Sequence, residues 1–349
     1  VARLARWGEA NTVRTVATIL IAAAAGWYLL LQLAPVLRPL LVAAILAFVL
    51  MPYHARLRKR VGTAASVSVI AGSAAGTLGA LAFITYSSIL ALSDEVPHLQ
   101  ERAGDQAAAA ERALAAHLPW LFPPDDTRPA AARLNEQIAQ VVRPVLAVAA
   151  NAALEAGVVA LYLLFLLLEG ARFPDLIRKA YEPKRAAEIL LIAGEVNAAV
   201  ISYLKAKVKS SLILAVPVGV ALGAVGVRFA LLWGVLTFLC NFIPYIGTVV
   251  AYGLPVGFAF LWYGAAWQAF AAAGVLLVCH AASASLVEPY ILGKAVGVSP
   301  LVILGSLAFW GLMWGVAGMF LAVPLTVVAI LVMGQFEQTR PVSRLLQGG

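Results

Sequence analysis

Residues Asn241 to Gly247 read NFIPYIG, set inside an otherwise apolar stretch of a 349-residue chain. A proline within a helix removes one backbone hydrogen bond, and its ring crowds the preceding turn. In hydrocarbon the freed carbonyl finds no water, so such a break needs cover from protein or from a watery cavity. The motif therefore predicts either a loop joining two helices or the tip of a hairpin at membrane depth. The flanking arms, 229–240 and 248–262, bear on the choice. A dozen helical residues cover only ~18 Å, short of a ~30 Å hydrocarbon core. Each arm suits one side of a re-entrant hairpin better than a full crossing.

Downstream, 301–333 is interrupted by Gly311, Gly315 and Gly318, again between arms of about fifteen residues, or ~22 Å. Gly226 and Gly297, Gly234 and Gly305, and Gly247 and Gly318 are each 71 residues apart. With the shared order of a span followed by a broken segment, this suggests an internal repeat. One full span, 269–287, separates the two hairpins, so they would enter from opposite faces. Transporters use such inverted repeats to build a site near the midplane from discontinuous helices.

Composition places the whole chain in a membrane. It is 62% hydrophobic and 12% charged, with a mean hydropathy of +0.91, whereas soluble domains carry about 25% charged residues. The expected class is an all-α polytopic membrane protein. The net charge of +8 sits beside apolar segments, a pattern that sets orientation and needs no nucleic-acid partner. Cys240 and Cys279 lie in apolar stretches and offer neither a disulfide framework nor a metal quartet. Nothing implies a cofactor.

Taken in order, 1–92 holds three transmembrane helices. Spans 16–34 and 36–51 are joined by a tight turn at Pro35 and Pro39, with Arg38 snorkelling nearby. Arg3, Arg6 and Arg14 ahead of the first span resemble a signal peptide, but no small-residue cleavage site follows, and the span reads as retained. Pro52 is expected to end the second helix. Arg56, Arg58, Lys59 and Arg60 follow, which with the basic start places the N-terminus and this loop in the cytoplasm, and Arg340 and Arg344 put the tail there too. Gly72, Gly76 and Gly79 on the third span are packing residues. Residues 93–144 form an extracytoplasmic helical insertion in which Leu99, Ala103, Ala107, Ala110, Leu114 and Leu118 mark an amphipathic helix. Residues 145–168 form the fourth span, 169–209 a cytoplasmic amphipathic segment, 210–334 the transport unit and 335–349 a cytoplasmic tail.

Glu288 is the first candidate for function, because a carboxylate at a helix centre costs ~2.5–3.5 kcal/mol on insertion scales. The alternative is a hydrated helix-end residue paired with Lys294. His280, eight residues earlier on a similar face, suits proton coupling, or is simply hydrogen-bonded within the bundle. Asn241, Pro244, Tyr245 and Gly247 make one hairpin tip, and Gly311, Gly315 and Gly318 the other. Carbonyls and helix ends there suit a polar solute or a cation; close packing by small residues is the alternative. Glu155 is a weaker candidate, and Trp310 and Trp314 read as packing residues.

NFIPYIG with Pro255, then EPYILGKAVGVSPL (288–301), WGLMWGVAG (310–318) and AVPL (322–325), resembles the autoinducer-2 exporter (AI-2E) family, which includes PerM-like permeases. The resemblance covers nearly the whole chain. Family proteins commonly carry proline, glycine or lysine near Pro244, Gly247, Pro289, Gly293 and Lys294. Where the family often reads EPK this chain has Tyr290, so a basic role there does not carry over. The resemblance implies a bacterial inner-membrane secondary transporter, homo-oligomeric, exporting a small polar solute such as autoinducer-2. Sodium(lithium)/proton antiport is the alternative the family also implies. No Walker A motif is present, since Gly293-Lys294 lacks the upstream glycine spacing. An intramembrane hydrolase built from His280 and Ser283 or Ser285 would lack any GxSxG or HExxH signature. The chain is therefore expected not to be an enzyme.

Overall fold

The computed structural model describes residues 2–117, 140, 155–170, 172–292 and 298–347. Among them the ordered elements are all helices, and six are long and apolar enough to cross a membrane. They are α1 (Ala2–Gln32), α2 (Ala34–Val61), α3 (Thr63–Asp94), α4 (Val96–His117), α5 (Glu155–Gly170), α6 (Phe173–Ala180) and α7 (Pro183–Ala224), followed by α8 (Ala230–Cys240), α9 (Ile246–Tyr263) and α10 (Trp267–Ala282). A single π-helical turn, Ser283–Val287, leads into α11 (Glu288–Leu292), and α12 (Pro300–Gln335) and α13 (Arg340–Leu346) complete the chain.

The first three helices fall where the sequence predicts, with two differences. The α1–α2 turn is at Leu33, just ahead of Pro35. Pro52 does not end α2, which runs through it to Val61 and is stopped by Gly62 at φ 85°. A proline withdraws only one hydrogen bond from the ladder, and lateral packing carries the helix past it. Ser66 on α3 bonds His54 of the continued segment, with Oγ 2.9 Å from Nδ1. The boundary at 209/210 is likewise not a break, because α7 runs continuously from Pro183 to Ala224. In the insertion, α4 matches the predicted amphipathic helix, with Leu99 and Ala103 buried. The rest of that insertion (118–139 and 141–144), with Trp120, Leu121 and Phe122, and residues 145–154 of the fourth span lie outside the described residues.

Both broken segments fold back as helical hairpins. In hairpin 1, α8 and α9 lie side by side, with Trp233 and Phe258 ring centroids 5.3 Å apart. The Tyr263 hydroxyl donates to the Gly226 carbonyl at the open end. In hairpin 2, α12 reverses at Gly315, at φ 63° and ψ −141°. Ser306 donates to the Ala322 carbonyl at 3.1 Å, yet sixteen residues of straight helix would separate them by ~24 Å. Only Gly315 leaves helical geometry. Gly311 and Gly318, expected to share the break, are helical, with Gly318 lying where the two arms touch.

The hairpins point in opposite directions. The open end of hairpin 1 meets the α3–α4 corner through Arg228 and Glu95, 2.7 Å apart. The tip of hairpin 2 meets the same end of the bundle, where Trp314 Nε1 donates to the Leu30 carbonyl at 3.1 Å beside the α1–α2 turn. The open end of hairpin 2 is at the other end, with Gln335 bonded to Glu195 early in α7. The two cross midway, where Phe242 stacks on Phe320 at 4.9 Å. Ile243 packs there with Leu307 and Ala322.

Candidate functional site

The helix α7 carries a polar seam on a face that is otherwise buried. Tyr203, Lys207, Ser210 and Ser211 are all buried, and they recur at the three- and four-residue spacing that keeps side chains on one helix face. Three elements converge on this seam. The tip of hairpin 1 brings Asn241, itself buried, whose Nδ2 donates to Ser211 Oγ at 2.9 Å. The start of α11 brings Glu288, whose Oε1 is 3.4 Å from Lys207 Nζ. The end of α10 brings His280, edge-on to Tyr252 with centroids 6.2 Å apart.

The π turn aligns His280 with Glu288. At ~100° per residue, eight residues of regular helix would leave them about 80° apart around the axis. A π turn accommodates one extra residue, which brings that angle down to roughly 20°. Glu288 consequently lies within electrostatic reach of both His280 and Tyr203. His280 Nε2 and Ser283 Oγ are buried and have no hydrogen-bond partner among the described residues. No hydrogen bond joins these two groups to each other.

The Lys207–Glu288 pair is uneven. The lysine side chain is 5% exposed and the glutamate 38%. Among the described residues no other ion-paired cation is buried to this degree. A buried charge is tolerated only when paired or neutralised. Lys207 depends on the Glu288 carboxylate as its ion-pair partner, while the part-exposed carboxylate has a second oxygen not engaged by the lysine.

The structure brings together Asn241, His280 and Glu288 among the predicted residues. It places Pro244 and Tyr245 at the same tip but leaves Tyr245 exposed at φ 62°. Gly247 is buried against the first arm, where a Cβ would fall on the Cys240 carbonyl. Gly311, Gly315 and Gly318 belong to the other hairpin and do not join this seam. Pro289 follows Glu288 in the first turn of α11, and Tyr290 is 89% exposed. Gly293 and Lys294 lie outside the described residues, and the observed partner of Glu288 is Lys207. Lys207, Tyr203 and Ser211 are not singled out in the sequence, because Lys207 stands between Lys205 and Lys209 at the end of the amphipathic segment 169–209. The helical phase was the available signal, since Lys207 follows Tyr203 and Val200 on the apolar face. Arg38 and Glu155, noted separately in the sequence, pair at 3.4 Å.

These elements define a multi-pass helical membrane protein with two opposed hairpins and a polar seam beneath one tip. A model of the AI-2E family transporters matches residues 17–338, and the chain belongs to that family. It is 33% identical over 186 residues to the AI-2 transport protein TqsA of Escherichia coli K12, covering 53% of each chain. YhhT of the same organism, provisionally named a transport protein, is 36% identical over 143 residues, 41% of this chain and 40% of its own. PerM, provisionally named a permease, is 25% identical over 324 residues, 88% and 89% of the two chains. In the stronger matches the chain spans about half the length of the relatives.

Proposed function

We propose that the chain is a secondary transporter of a bacterial inner membrane, exporting a small polar solute such as autoinducer-2. The observation that carries this reading is the Lys207–Glu288 pair, its lysine buried and its carboxylate part-exposed, beneath the hairpin 1 tip. Hydroxyls, an amide and an exchangeable ion pair suit a polar neutral solute that competes for hydrogen bonds. The name of TqsA supports autoinducer-2 as the first substrate to try. Both hairpins enter the bilayer without crossing it, hairpin 1 from outside and hairpin 2 from the cytoplasm. The basic residues within 56–60 at the end of α2 and the lysines of α7 support a cytoplasmic side for the seam. Both termini are cytoplasmic, and the exposed apolar face of α3 suits a homo-oligomer within the bilayer.

The test is efflux from sealed proteoliposomes loaded with autoinducer-2, with a pH dye reporting any sodium-driven proton movement. The native chain is expected to release solute, and Glu288→Gln to slow release at least tenfold. Sodium-for-proton exchange without solute release would replace export with antiport as the activity. Equal efflux from the native and Glu288→Gln chains would remove the ion pair from the mechanism.

A further inference from the structure

Hairpin 1 is held very differently at its two ends. At the open end the Arg228 guanidinium lies 4.5 Å from the Trp262 ring centroid, and that of Arg102, on α4, lies 4.7 Å from the same ring. Arg102 Nη1 also donates to the Trp262 carbonyl at 2.6 Å, and Gln106, one turn later, donates to the Leu261 carbonyl at 3.3 Å. These carbonyls belong to the last turn of α9, where the helix supplies no partner of its own. Tyr263 joins the two arms, its hydroxyl accepting from the Arg228 backbone N–H at 3.0 Å and donating to the Gly226 carbonyl at 2.9 Å. Below this polar layer, Leu99 of α4 is buried in one apolar cluster with Trp233, Phe258 and Trp262. At the tip, Asn241 donates a side-chain hydrogen bond to Ser211. The tip backbone also passes through Tyr245 at φ 62° and ψ −63°, a strained conformation of the kind that concentrates at switch regions.

We propose that Trp262, clasped by Arg102 and Arg228, is a positioning residue for transport. The α3–α4 corner is the fixed pivot of hairpin 1, and the tip over the Lys207–Glu288 pair is the end that moves. Cation–π contacts, capped carbonyls, an ion pair and buried leucine all specify one geometry at the pivot. The tip is held by one neutral hydrogen bond and by non-directional apolar contacts with hairpin 2, Phe242 on Phe320 and Ile243 with Leu307. This assigns a task to the first helix of the insertion. The transport consequence rests on the exporter reading; the mechanical one does not.

The experiment has two arms, both on the full chain with Cys240→Ala and Cys279→Ala. In the first, a short bis-methanethiosulfonate linker joins either Glu95→Cys to Arg228→Cys at the pivot or Ser211→Cys to Asn241→Cys at the tip. Linking the pivot is expected to leave autoinducer-2 efflux within twofold of the reduced protein. Linking the tip is expected to cut efflux at least tenfold, with recovery on reduction. Efflux lost on linking the pivot overturns the assignment. Trp262→Leu is expected to lower the maximal rate severalfold without moving the half-saturating solute concentration, and Trp262→Phe to restore it. The second arm is hydrogen exchange in nanodiscs, which needs no transport. Residues 96–106 and 258–264 are expected to exchange together and at least tenfold more slowly than 241–247, and Trp262→Leu to speed both pivot segments. Tip and pivot exchanging alike would overturn the proposal even in a chain that moves solute. A native chain without efflux but with this exchange pattern would count against the substrate alone.

Discussion

Hairpin 1 turns through five irregular residues, Asn241 to Tyr245, whereas hairpin 2 turns at one, Gly315. The wider turn presents a buried amide to the hydroxyl of Ser211. The narrower one presents aromatic surface, with Trp310 and Trp314 centroids 4.8 Å apart. One device is common to both. A Cβ on Gly247 would collide with the Cys240 carbonyl, and a Cβ on Gly318 with the Trp310 carbonyl. The two arms of each hairpin therefore close at a glycine just past the turn, and those glycines are the pair 71 residues apart in the sequence. Gly234 and Gly305, equally spaced, have diverged. Gly234 touches Gly219 on α7, while Gly305 lines an open cavity of about 380 Å³ between the arms of hairpin 2. The repeat preserved the means of closing a hairpin and changed what its tip offers.

Breaking the shared device should have the largest effect. Gly247→Val and Gly318→Val each drive a side chain into backbone that cannot rotate away, so the cost should reach or exceed the ~1–3 kcal/mol typical of overpacking. Both are expected to lose the monodisperse peak on gel filtration in detergent. Gly305→Ala, with nothing within 4 Å of its Cβ, should leave the melting temperature unchanged. Damage from only one of the two valines would end the structural equivalence of the hairpins.

The seam beneath hairpin 1 comes next, and its asymmetry has a sign. Glu288→Gln strands a buried ammonium, and breaking a buried pair in this way costs ~3–5 kcal/mol. Lys207→Met leaves a carboxylate that is 38% exposed and reaches water, so its loss in thermal stability should be smaller. The double variant Lys207→Met/Glu288→Leu is expected to regain most of the stability while efflux stays at least tenfold down. Restored efflux in that variant would make the pair structural.

A matched pair of smaller changes separates the two tips by function. Asn241→Ala and Trp314→Phe each remove one hydrogen-bond donor, worth about 0.5–1.5 kcal/mol. Similar small drops in melting temperature are expected from both, but a severalfold fall in efflux from Asn241→Ala alone. The smallest effect should come from Tyr245→Gly. Glycine takes the positive φ without steric cost, and relieving strain of order 1 kcal/mol should leave stability equal or slightly raised.

Much of the fold was legible because its signals are local. Apolar runs of spanning length, the basic cluster that closes α2 and the proline and glycine of NFIPYIG each report on a few consecutive residues. Pro52 misled because propensity prices one lost hydrogen bond, while lateral contacts such as His54 to Ser66 outweigh it. The break in α12 was assigned to three glycines, yet only Gly315 needs positive φ. Gly318 serves close approach, and sequence alone does not distinguish those two uses of the same residue. At the site, Asn241, His280 and Glu288 stood out as polar residues in apolar company. Lys207 did not, because lysines on either side masked it.

The sequence by itself determined that this is a helical membrane protein, where its helices run, and that its C-terminal half contains two interrupted segments. Those properties follow from hydropathy, length and backbone chemistry. Tertiary structure alone decided that Glu288 pairs with Lys207, 81 residues away, and that a π turn brings His280 onto the same face. Pairing across that distance depends on the rotation of one helix against another. A single residue more or less in a turn changes that rotation by ~100°, and nothing in local composition records it.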